Sequence, residues 1–167
     1  MEWWLWLLLG VVLLFGFVVA RGAPYVPSHR KYAQLALSEL YQLTSKDVLV
    51  DLGSGDGIVL RLAAARGARA IGYELNPVLV LISKLLARGN EQITTKVADF
   101  WLVDLPEETT IVYAFSVSRD IVKLEKKLQQ TATKNGHAVW LITYGAKPKT
   151  LQPVRELHAH ALYRFEP

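Results

Sequence analysis

The chain has 167 residues, 51% of them hydrophobic and 20% charged, with a formal net charge of +4 and no cysteine. That length suits one domain, and the absence of cysteine excludes disulfide frameworks and cysteine metal sites. The basic residues form no stripe interleaved with aromatics and accompany no binding motif, so nucleic acid is not an expected partner.

The mean hydropathy of +0.21 is high, and the uncharged run from Trp3 to Ala20 carries it. At about 1.5 Å per residue that run spans about 27 Å as a helix, close to a hydrocarbon core of about 30 Å. It predicts a single transmembrane helix. Glu2 stands where a signal peptide would be basic, and Phe17-Val18-Val19-Ala20 is a poor cleavage site. Trp3, Trp4 and Trp6 read as interfacial anchors, and Arg21, Arg30 and Lys31 after the run place the domain on the cytoplasmic side. The expected organisation is an anchor over 1–21, a linker and helix over 22–46, and one folded domain over 47–167.

After the short linker Gly22 to Pro27, Ser28 is a good N-cap for a helix running to about Leu43. Asp47 to Leu52 reads as a buried strand ending in the turn Gly53-Ser54-Gly55-Asp56-Gly57. A helix from Ile58 to Arg66 follows and stops at Gly67. The strand Ala68 to Glu74 leads through Leu75-Asn76-Pro77 into a helix to about Ala87. Strands are predicted at Thr94 to Ala98, Thr110 to Ser116 and Ala138 to Tyr144, with a helix over Asp120 to Thr131. Gln152 to His158 and Ala161 to Phe165 form a closing hairpin, with His158 and His160 on one strand face and no third ligand to make a metal site. Strands alternating with helices give a parallel α/β sheet with right-handed crossovers.

Ligands of such sheets bind outside the carboxyl ends of the strands, and Asp51 to Gly57 occupies the first strand–helix turn. Its glycines let a ligand approach the backbone. The third glycine, Gly57, sits one position short of a dinucleotide fingerprint, where Ile58 stands. Glu74 ends the second strand, where a carboxylate can accept both ribose hydroxyls, and Asp99 ends the third. Three acids beside a glycine turn suit a cationic nucleoside such as S-adenosylmethionine better than a pyrophosphate.

Asp51-Leu52-Gly53-Ser54-Gly55-Asp56-Gly57, Gly72-Tyr73-Glu74-Leu75-Asn76-Pro77 and Asp99-Phe100-Trp101 resemble the motifs of class I, seven-β-strand S-adenosylmethionine-dependent methyltransferases. With the apolar N-terminal run and Pro24-Tyr25-Val26-Pro27-Ser28, the chain resembles the membrane-anchored protein lysine methyltransferases of mitochondria and their prokaryotic relatives. Those enzymes modify the adenine nucleotide translocase and the c-subunit of ATP synthase. The resemblance implies a Rossmann-like methyltransferase sheet with an N-terminal transmembrane helix and S-adenosylmethionine as cofactor. It gives the methionine and ribose part of the cofactor to Asp51, Gly53, Ser54, Gly55 and Gly57, the ribose to Glu74 with Leu75 and Asn76 beside it, and the adenine to Asp99 and Phe100. Tyr25, Pro27 and Ser28 would lie over the methyl group and help form the acceptor channel. Phe115-Ser116-Val117 departs from the proline-containing stretch expected after the fourth strand.

The sulfonium makes the methyl group electrophilic, so the protein's task is to align an acceptor lone pair with it. For lysine, freeing that lone pair at pH 7 costs about 4–5 kcal/mol, which an apolar channel beside a cation reduces. Tyr25, Trp101 and Phe115 are candidates for the channel walls, Trp101 first among them. The expected partners are a membrane protein with an accessible lysine and the bilayer itself, with no metal. A lipid amine or small apolar acceptor is the rival substrate, and a non-catalytic adaptor that binds S-adenosylmethionine is the rival class.

Overall fold

The computed structural model describes residues 2–6, 8–10, 12, 16, 29–116 and 118–167. Seven strands are described: β1 (Val48–Leu52), β2 (Arg69–Glu74), β3 (Ile93–Val97), β4 (Ile111–Ser116), β5 (Val139–Gly145), β6 (Arg155–Leu157) and β7 (His160–Phe165). They form one sheet in the order β3-β2-β1-β4-β5-β7-β6. The first five are parallel, and β7 and β6 close the far edge antiparallel. Chain order reverses between β1 and β4, so the crevice for a ligand opens at the carboxyl ends of these two strands.

Alternation along the strands divides the core in two. Leu49, Ile111, Tyr113, Ile142 and Leu162 face α1 (Arg30–Leu35), the π-helical turn Ala36–Leu40 and α2 (Ile58–Ala64). Val50, Val112, Leu141 and Tyr163 face the longest described helix, α4 (Ile121–Asn135), through Leu124, Leu128 and Ala132. The remaining helix of the domain, α3 (Pro77–Leu86), is held by the hydrogen bond of Ser83 Oγ to Thr95 Oγ1 on β3, 2.9 Å. At the amino edge, Asp47 accepts from the Tyr41 hydroxyl, the Thr44 amide and the Thr110 hydroxyl, fixing where β1 begins.

Several expectations are corrected. Among the described residues no helix is long and apolar enough to cross a membrane. The transmembrane helix, and the single-pass, cytoplasm-facing placement drawn from it, therefore do not stand. Hydropathy sums transfer preference over a run of residues, and a high sum is not itself a membrane-spanning helix.

The first long helix, expected to run unbroken from a Ser28 cap to about Leu43, starts at Arg30 and widens into a π turn that ends at Tyr41; Ser28 lies outside the described residues. His158 is not on a strand: it takes a left-handed turn conformation, φ +55°, between β6 and β7, while His160 is buried on β7. The two histidines do not share a strand face.

Candidate functional site

The glycine turn is folded onto β2. Gly53 and Ser54 both donate their amides to the Tyr73 carbonyl, at 2.9 and 3.1 Å, and Gly57 donates to the Ser54 carbonyl. Gly53, Gly55 and Gly57 have φ of +86°, +53° and +78°, a region that costs other residues about 1–2 kcal/mol. Gly57 also has no room, since a Cβ there would lie 2.2 Å from Ser83 Oγ. Gly53 differs: a Cβ there would meet nothing within 4 Å. Its open side is where a ligand can lie against the backbone.

Glu74, 8% exposed at the end of β2, accepts the Gly55 amide on Oε2 at 2.9 Å and the Asn76 amide on Oε1 at 2.8 Å. Each oxygen keeps a second lone pair for a ligand hydroxyl. Asn76 in turn caps α3 by accepting the Val78 amide on Oδ1, with Pro77 at the first helical position. Asp51, 4% exposed, is pushed up to about 8 by burial first, then by the charges of Glu74 and Asp56. Asp56 pairs with Arg61 across 3.4 Å.

These contacts bring Asp51, the glycine turn, Glu74 and Asn76 into one network. Leu75 is half-buried between Glu74 and Asn76. Asp99, Phe100 and Trp101 follow β3, one strand further out. Asp99 Oδ1 accepts the Trp101 amide at 3.0 Å, and the rings of Phe100 and Trp101 lie 4.6 Å apart. One face of Trp101 is taken by the ammonium of Lys123, 4.3 Å from the ring centroid. Tyr25, Pro27 and Ser28 lie outside the described residues.

Supporting residues lie behind the site: Gly72, inside a quoted motif but given no role by it, and the pair Ser83 and Thr95. A Cβ at Gly72 would lie 2.5 Å from Ser54 Oγ and 2.7 Å from Leu60 Cδ1, so the turn and α2 pack directly on the β2 backbone. Its signal is a glycine inside a strand. The Ser83–Thr95 pair against Gly57 has no such signal. Ser54 Oγ is buried with no hydrogen-bond partner among the described residues.

A cationic nucleoside fits this arrangement. The backbone is open at Gly53, lone pairs remain on Glu74, and carboxylates crowd Asp51. The profile of the ANTKMT methyltransferase domain matches residues 51–145, from Asp51 through the end of β5. The chain belongs to this family. Individual curated proteins are similar in sequence too. The ATP synthase c-subunit lysine N-methyltransferase of Xenopus laevis is 39% identical over 109 residues, 64% of this chain and 47% of that protein. Adenine nucleotide translocase lysine N-methyltransferase of Mus musculus is 36% identical over 110 residues, again 64% of this chain and 47% of that one. The chain thus matches less than half the length of these curated relatives. An RNA methyltransferase from Salinibacter ruber, solved with S-adenosyl-L-homocysteine, superposes with a TM-score of 0.73 at 28% identity, over 84% of this chain and 92% of that one.

Proposed function

We propose that the chain is an S-adenosylmethionine-dependent methyltransferase acting on the side-chain amine of lysine in a membrane-associated protein. The observation that carries the cofactor is the grouping of Asp51, Asp56 and Glu74 around a glycine turn open at Gly53. The acceptor rests on the family and on relatives named for lysine N-methylation of the ATP synthase c-subunit and of the adenine nucleotide translocase.

When bound, the cofactor supplies an electrophilic methyl group on a sulfonium. Glu74 accepts the ribose hydroxyls with the lone pairs that Gly55 and Asn76 leave free, and their amides hold its carboxylate in place. Asp51, ionised as the ligand arrives, balances the cofactor's positive charge. Asp99 and Phe100 would border the adenine, and Gly53 and Gly55 would lie against the methionine part. The lysine ammonium first loses its proton to solvent. The chemistry the cofactor would supply is transfer of its methyl group to that nitrogen lone pair, the sulfur keeping the electrons of the broken C–S bond. No protein nucleophile is consumed, so alignment and a desolvated amine supply the rate.

The test is transfer of labelled methyl from S-adenosylmethionine into an extract of the host lacking this gene, separated into protein, lipid and RNA. Label traced by mass spectrometry to a lysine is the expected result. Label in the lipid or RNA fraction would give the same fold a different acceptor, and label in none would reject the transferase reading.

A further inference from the structure

We infer that the acceptor amine is received by a ring cluster at the carboxyl edge of the sheet, formed by Phe115, Tyr144 and His160 and backed by Tyr113. The inference rests on the methyltransferase reading and specifies its second substrate site. The register of three adjacent strands builds the cluster: Phe115 on β4 stands opposite Tyr144 on β5, and Tyr144 opposite His160 on β7. The rings are neighbours on one face, with centroids 5.7 Å apart for Phe115 and Tyr144 and 4.9 Å for Tyr144 and His160. Tyr113, two residues before Phe115, fixes the imidazole through a 2.8 Å hydrogen bond between its hydroxyl and His160 Nε2.

Position ties the cluster to the glycine turn. Tyr113 is in register with Asp51 on β1, so the rings begin beside Asp51, on the same sheet face. Strand spacing and two residues of rise put Phe115 Cα about 8 Å from Asp51 Cα. Core packing does not account for all of it. Tyr113 and His160 are buried, but Phe115 and Tyr144 are half-buried. A different ring, Trp101, has one face covered by Lys123.

The chemistry of the four side chains suits an attacking alkylamine. Its nitrogen passes from neutral to cationic as the N–C bond forms, and aromatic faces stabilise charge appearing there. The cluster contributes no fixed charge: burial, with the charge of His158 second, pulls His160 down to about 4, so it stays neutral at pH 7. The same ring faces accept a methylated ammonium, so one site holds both acceptor and product.

The test uses the full chain with n-butylammonium and n-butyltrimethylammonium as probes of the lysine side chain and its methylated form. Calorimetry with S-adenosylmethionine comes first, since a wild-type chain that fails to bind it defeats the transferase reading and this inference with it. Given cofactor binding, ligand-detected NMR in the presence of S-adenosyl-L-homocysteine should show both probes bound. Phe115→Leu and Tyr144→Leu should each weaken them at least fivefold, Tyr144→Phe should retain them, and cofactor affinity should hold in all three. No probe binding to a cofactor-competent wild type, or equal affinity in the leucine variants, overturns the inference. Should a leucine variant lose its fold, intermolecular NOEs from the probe to the Phe115 and Tyr144 rings in the wild type decide, and their absence overturns it.

Discussion

The carboxyl of Asp51 is pushed up to about 8 by its burial first and then by the charges of Glu74 and Asp56 beside it. A folded-state value above the ordinary carboxylate one means the unfolded chain ionises first. Stability of the free protein therefore falls as pH rises from about 4 towards 8. A cationic ligand reverses that sign, because it favours ionised Asp51. Equilibrium dialysis with labelled S-adenosylmethionine should find affinity rising up to about tenfold per pH unit below 8 and levelling above it. Asp51→Asn should bind more weakly at pH 8 and show a flat profile; a flat wild-type profile would remove Asp51 from the site. Asp51 and Glu74 are legible as site candidates because strand ends beside a glycine turn are where such sheets bind ligands. The protonation of Asp51 is not, since it depends on how closely β1, β2 and the turn pack.

At the level of elements, the glycines separate binding from packing. Gly53→Ala meets no neighbour but projects a methyl group into the open side of the turn, so it should lose most cofactor affinity at a stability cost of about 1–2 kcal/mol from its φ. Gly72→Ala drives its Cβ into Ser54 and Leu60, costing about 1–3 kcal/mol of stability. Thermal melts and cofactor titrations on both variants check this, and equal effects on the two readouts would mean that Gly53 is only structural. β1, β2, α2 and α3 are readable from buried runs punctuated by glycine and proline. α4 runs on past Thr131, the end expected from its pattern, to Asn135, where Gly136 in a left-handed conformation stops it; a glycine cap outweighs the fading apolar periodicity. The closing β6–β7 hairpin is legible, but not that His158 leaves the strand for its turn, because its positive φ is announced by no glycine or asparagine.

Across the whole molecule, alternating strands and helices announce the parallel sheet, whereas a high hydropathy sum over the N-terminal segment is not itself a spanning helix. What no local pattern carries is the seam that β7 makes with β5, which brings His160 against Tyr113, 47 residues away. Tyr113→Phe leaves a buried imidazole nitrogen without that partner, at about 1–3 kcal/mol. The melting temperature should fall by several degrees, and an unchanged melt would show that the seam does not depend on this bond.

Asp51, Gly53, Gly55 and Glu74 are assigned to holding S-adenosylmethionine, and the decisive measurement is calorimetric titration of the full chain at pH 8, with Glu74→Gln alongside. One cofactor should bind per chain, and Glu74→Gln should stay folded and lose at least tenfold in affinity, since an amide offers one acceptor oxygen where two are used. No binding to the wild type, or equal binding to Glu74→Gln, would contradict the account.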